Sequence, residues 1–199
     1  MASEVEICNL ALARCGQGPI VNILDDNRNA RLCNLHFDAK RDALLRRYRW
    51  KFAIKRASVN ASATAPVYGY SLAYLQPTDC LRVVSVNDLD PEFDPDLDPS
   101  IWDIEGENIV TDLAAPLMIK YIKRVEDPNE FDAAFADALA AYLAYFMVAS
   151  FRDTEEGIIG ALKNDFNDIV DQAKYVNAIE GRPRKRRQTR SSWASGRNY

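Results

Sequence analysis

The sequence predicts an α+β protein, mainly α, built as a four-helix bundle with a small antiparallel β lobe inserted between its halves and an extended C-terminal arm. Three observations predict it. Helical periodicity with capping signals occupies both ends of the folded part. The middle third changes to short alternating, β-branched runs separated by turn residues. After Gly181 the composition changes again, to a basic stretch without an acid. The expected boundaries are 1–49 and 126–180 for the bundle, 50–125 for the lobe and 181–199 for the arm.

The first helix is expected over Glu4 to Cys15. Ser3 and Glu6 form a capping-box pattern, Gly16 is a stop, and Val5, Cys8, Leu12 and Cys15 make the apolar stripe. The second runs from about Asn27 to Tyr48, capped by Asp25 or Asp26, with Leu32, Leu35, His36, Ala39 and Ala43 on one face and Phe37, Leu44 and Tyr48 beside them. From Trp50 to Ile54 the chain reads as extended. Strands are expected at Tyr70 to Leu75 and Leu81 to Val86. A hairpin is expected over Ile101 to Ile104 and Ile109 to Thr111, and a last strand over Leu117 to Val125.

Asp127-Pro128-Asn129-Glu130 carries the signals of a helix start: Asp as cap, Pro at the first position, Glu at the third. The helix expected to follow, to about Phe151, is apolar on most faces and must be buried between several elements or between subunits. Its nearly uninterrupted run, Ala138 to Ala149, is shorter than the roughly 20 residues a bilayer span needs. Asp153 and Glu156 repeat the capping pattern for a last helix to about Ile179. Its stripe is Ile159, Leu162, Phe166, Ile169, Ala173 and Val176.

Charge separates the arm from the body. The arm holds Arg182, Arg184, Lys185, Arg186, Arg187, Arg190 and Arg197, leaving 18 Lys and Arg against 29 Asp and Glu before it. A second basic cluster, Lys40 to Arg56, spans the end of the second helix, with Arg41, Arg46, Arg47, Arg49 and Lys51 read either as contacts to phosphate or a neighbour's acids or as a solvated helix end that complements the helix dipole. Six acids, Asp88, Asp90, Glu92, Asp94, Asp96 and Asp98, read as a solvated loop, since the glycine and terminal glutamate of a calcium loop are missing. His36, the one histidine, reads as a partly buried structural residue. The cysteines at 8, 15, 33 and 80 form no CxxC pair and read as free thiols of a reducing compartment. No signal peptide is expected, because the chain opens on a capped helix.

No phosphate loop, HExxH or GxSxG motif occurs, and no catalytic, cofactor-binding or metal residue is assigned. A carboxylate pair such as Asp132 and Asp137 is poorly placed for a shared substrate, being five apart on one helix. The arm reads as a nucleic-acid arm, a localisation signal or a docking arm. Trp193 and Tyr199, interface residue types spaced by small ones, favour docking, with Arg182, Arg184, Lys185, Arg186, Arg187, Arg190 and Arg197 beside them. The alternative is a nucleic-acid-binding protein that uses the basic tail. A net charge of −4 and a pI near 5.1 weigh against it.

Two strings carry a family resemblance. One is Ile7-Cys8-Asn9-Leu10-Ala11-Leu12 with Gly16 and Ile20, then Asp38 to Leu45 leading to Arg49-Trp50-Lys51-Phe52-Ala53. The other is Tyr70 to Val83, with Tyr74-Leu75-Gln76-Pro77-Thr78-Asp79-Cys80-Leu81-Arg82-Val83 at its centre. Over roughly residues 5 to 175 the chain resembles the tail tubular protein A, or head-to-tail adaptor, family of tailed phages, with Gln76 a minor departure. The resemblance implies a virion protein at the head–tail junction, made in the host cytoplasm. It implies a ring, commonly of twelve copies, below the portal protein. Such a ring continues the DNA channel without specific binding and presents a surface to the next tail or nozzle component. The C-terminal segment would reach the portal. No catalytic residues, cofactor or membrane contact come with the family.

Overall fold

A computed structural model describes residues 3–92, 94, 96, 98–151 and 156–179 of the chain. Helix α1 is Glu4–Arg14. Its capping box forms as expected: the Ser3 hydroxyl accepts from the Glu6 amide at 3.1 Å, and the Ser3 amide donates to the Glu6 carboxylate at 2.9 Å. Gly16 follows at φ 67°, the left-handed conformation that ends the helix without a Cβ clash. Helix α2 is Arg28–Arg47, and its cap is Asn27, not Asp25 or Asp26. The Asn27 side chain accepts from the Ala30 amide at 2.9 Å.

Helix α3, Ala133–Met147, starts later than expected. Pro128–Glu130 forms a single 3-10 turn capped by Asp127, and the α-helix begins only after a second cap, Asp132, accepts from the Ala134 amide. Helix α4 is Glu156–Ile179. Its proposed cap, Asp153, lies outside the described residues.

Helix α3 packs against α1, α2 and α4. This explains an apolarity high enough, at mean hydropathy 1.5 over Ala133–Ser150, to match a membrane span in length and composition. The expectation of too short a run for a span is corrected on that count. The stretch lies in the core, with Phe135, Leu139, Leu143, Ala144 and Met147 fully buried.

The buried face of α2 differs in part from that expected, and that of α4 matches the expected stripe apart from Val176, with Val170 added. On α2 the buried residues include Ala30, Cys33, Phe37, Arg41 and Leu44, while Leu35, Ala39 and Ala43 are exposed. Small residues at 30 and 33 bring α2 close to α3, and that contact selects the face. On α4 the buried set is Leu162, Phe166, Val170 and Ala173, with Val176 exposed.

The stretch from Trp50 is not extended throughout, because Lys51–Ala53 is a 3-10 turn before β1, Ile54–Val59. The remaining strands are β2 Leu72–Leu75, β3 Cys80–Val86, β4 Trp102–Glu105, β5 Asn108–Thr111 and β6 Leu117–Lys123. They form two antiparallel sheets rather than one, in the orders β1-β6-β3 and β2-β5-β4.

The period-2 alternation of β6 joins them. Leu117, Ile119 and Tyr121 enter a core shared with Tyr74 of β2 and Ile109 of β5. On the opposite face Ile122 joins Val84 in the helical core, while Met118 remains half exposed. The first sheet therefore lies between the helices and the second sheet. The helices cover only one end of it. The four cysteines are free, with Cys8 and Cys33 buried.

Candidate functional site

The residues that carry the resemblance meet at the junction between helices and sheets. Where α2 ends, Arg49 turns its guanidinium to Asp90, with bonds of 2.6 and 2.9 Å, and to Glu92. Burial pulls the Arg49 pKa down, but the hydrogen bonds it donates to Asp90 and Glu92 outweigh it and hold it above the usual arginine value. Trp50 is buried, and its indole N–H donates to the Leu44 carbonyl at 3.0 Å, satisfying an α2 terminal acceptor. Its ring packs edge-on to Phe135 of α3, with Phe52 and Phe131 beside it.

The second string meets the first through Glu92, which lies 3.8 Å from Arg82 as well as against Arg49. Within that string the Tyr74 hydroxyl donates to the Leu113 carbonyl at 2.7 Å. Asp79 accepts from Lys55 at 2.8 Å and from the Tyr121 hydroxyl at 2.9 Å. Burial pushes the Asp79 carboxyl up, but the hydrogen bonds from Lys55 and Tyr121 hold it below its usual value.

The end of α4 is fastened to the same junction. Asn177 donates from Nδ2 to the Arg49 carbonyl at 3.0 Å and accepts at Oδ1 from the Lys51 amide at 2.9 Å. Lys51 Nζ donates to the Ala178 carbonyl at 3.4 Å, and Lys174 lies 4.2 Å over the Tyr48 ring. The end of α4 is thus anchored at three points. Around it the last turns of α4 expose Tyr175, Val176 and Ile179.

The structure does not bring Arg41, Arg46, Arg47, Arg49 and Lys51 together as one cationic surface. Arg41 is buried between Asp38 at 2.8 Å and Asp42 at 2.9 Å, and Asp42 also receives Arg124. Arg49 is held by its two acids. Arg46 donates to the Leu81 carbonyl at 2.9 Å, and Arg47 lies over the Tyr48 ring. Arg41 and Arg49 thus fix the junction through their acids, while Arg46 and Arg47 remain exposed at the end of α2.

The acidic loop is likewise not wholly solvated, since Asp90 and Glu92 are tied to Arg49. Asp94 and Asp96 are exposed. His36 is half-buried as expected, and burial followed by the charge of Lys40 lowers its pKa. Asp132 caps α3, and Asp137 pairs with Arg14 at 2.9 Å, so each has a structural task. Among the described residues no three His, Cys, Asp or Glu side chains are grouped to hold a metal.

Arg182, Arg184, Lys185, Arg186, Arg187, Arg190, Trp193, Arg197 and Tyr199 lie outside the described residues. Sequence reasoning missed Asn177, a polar residue in the last turns of α4 whose partners are 126 and 128 residues away. It also missed Asp90, which has no local signal that sets it apart from the other five acids. Compared with protein-family models and with curated proteins, the chain matches none of them.

Proposed function

We propose that this chain is a structural head-to-tail adaptor of a tailed phage or phage-like particle. It forms a ring of about twelve copies under the portal, continues the DNA channel and receives the next tail component. In this reading α1 to α4 act as one four-helix bundle, spanning 1–49 and 126–180. The inserted lobe is 50–125. The segment 181–199 is the portal-docking arm, with Arg182, Arg184, Lys185, Arg186, Arg187, Arg190 and Arg197 meeting portal acids and Trp193 and Tyr199 as apolar anchors.

The observation that carries the reading is the anchoring of α4 at the junction through Asn177. An arm that begins at a fixed point presents its anchors to a partner at a defined place, and ring multiplicity multiplies each weak contact. The acidic body supports it further, because a negative channel wall lets DNA pass without holding it. Both strings that carry the family resemblance converge on this junction through Glu92.

The test is electron microscopy of the full chain mixed with the portal protein encoded beside it. The reading expects a ring of added density on one face of the portal, in register with its symmetry. Portal particles without added density at saturating protein contradict it.

A further inference from the structure

The half-covered sheet leaves a groove. Beyond the end where Ile122 and Val84 enter the helical core, the same face of β1, β6 and β3 is open. It forms a groove of about 560 Å³ whose lining includes Arg56, Ser58, Ser85, Asp88, Met118 and Lys120. Arg56 is exposed and has no ion-pair partner among the described residues. Met118 supplies an apolar floor that is half exposed.

On the far side of the molecule, across the second sheet, the β4–β5 hairpin has the opposite charge. Asp103, Glu105 and Glu107 are exposed along it, and Gly106 makes its turn at φ 62°. Burial and then the carboxylates of Asp103, Asp112, Asp98 and Glu105 raise the Tyr70 phenol above its usual pKa, a sign of how densely the acids gather there. Exposed Leu75 and Ile104 border the hairpin and match the apolar floor of the groove.

We propose that the groove over β1, β6 and β3 receives the acidic β4–β5 hairpin of a second copy of this chain. The inference rests on the adaptor reading for the ring, and adds the surfaces that would close it. Charge selects the occupant. Arg56 attracts the hairpin and repels the chain's own C-terminal segment, whose charged residues are all basic, while Lys120 and Asp88 in the lining offset one another in net charge. Direction selects the symmetry. Groove and hairpin lie on opposite faces of the lobe, because β6 sends Met118 and Lys120 one way and Ile119 and Tyr121 the other. Such a contact cannot be self-complementary. It is head-to-tail, the kind that closes rings when the rotation allows.

Disulfide trapping in the full chain tests this. Ser58→Cys places a thiol in the groove and Glu107→Cys one at the hairpin turn. Mixed under mild oxidation, the two variants are expected to form a cross-linked dimer, and the double variant S58C/E107C a ladder of oligomers. Ser58→Cys mixed with a variant carrying Lys163→Cys, on exposed α4, is expected to give none. Adding Arg56→Glu and Lys120→Glu to the groove partner is expected to lower the yield about tenfold, since like charges then face one another.

The inference is overturned if no S58C–E107C dimer forms. It is also overturned if S58C pairs equally with K163C, or if S58C pairs chiefly with itself. A short DNA duplex that abolishes the cross-link, and whose binding is lost in R56E/K120E, would make phosphate the occupant and overturn it as well. Portal capture of the same proteins keeps the two readings apart. Capture without the cross-link sinks this contact alone, and the cross-link without capture sinks the adaptor reading.

Discussion

Arg49 holds Asp90 through two hydrogen bonds of 2.6 and 2.9 Å, joining the end of α2 to a loop 41 residues further on. Both side chains are about five-sixths buried, at 17% exposure each. A charge pair so enclosed is costly to break from one side, because the remaining partner is left without compensation. Arg49→Ala is expected to destabilise the protein by about 2 kcal/mol, below the 3–5 kcal/mol of a fully buried pair, since some solvent reaches both groups. Urea unfolding of R49A, D90A and the double variant should give a coupling of about 1 kcal/mol or more. Additive effects would show that the pair is incidental.

Phe135 ties the junction to α3. It is fully buried, with Trp50, Phe52 and Phe131 all within 5.1 Å of its ring centroid. Phe135→Ala is expected to cost about 3–5 kcal/mol, from lost transfer energy and the cavity left behind. Phe135→Leu should cost less than half of that. Equilibrium unfolding of both variants measures the difference.

The pH dependence follows from Asp79. Its folded pKa lies below the unfolded value, so its contribution to stability is complete above about pH 4 and is lost as pH falls through the folded pKa. Tyr121→Phe removes one of the two side-chain donors and is expected to cost about 1 kcal/mol at pH 7. The gap between Y121F and the unaltered protein should then narrow below pH 4, as the carboxylate protonates in both. A gap that is constant from pH 7 to pH 3 would assign the loss to packing alone.

Asn177→Ala should loosen the root of the arm without unfolding the core. The expected global loss is about 1 kcal/mol, with the Lys51 amide losing hydrogen-exchange protection before its neighbours in β1. Asn177→Asp retains the acceptor for the Lys51 amide and loses the donor to the Arg49 carbonyl, so it should keep part of that protection.

Local chemistry made much of this fold legible in the sequence. The Ser3–Glu6 box and the turn between Ile104 and Ile109 each act within a few residues, and each appears where expected. The start of α3 was misplaced because Asp127, Pro128 and Glu130 carry the signals of a helix start, and these signals also suit a single 3-10 turn. The chain closes a 3-10 turn there and begins the helix after Asp132.

What the sequence left open depends on distant partners. The division into two sheets needs β1 to find β6 rather than β2, a pairing between residues about 60 apart. Arg41 is buried in place of Leu35 with its charge met by Asp38 and Asp42, on the face that Ala30, Cys33, Phe37 and Leu44 share. The cations of the expected patch were visible as charges. Their partners Asp38, Asp42, Asp90 and Glu92 become visible as partners only in three dimensions.

The claim that the basic segment is a portal-docking arm on an otherwise complete fold is tested most directly by deleting 181–199 and measuring capture by immobilised portal. The account predicts an unchanged thermal unfolding midpoint and a loss of capture. A truncated chain that assembles on the portal with full affinity would contradict it.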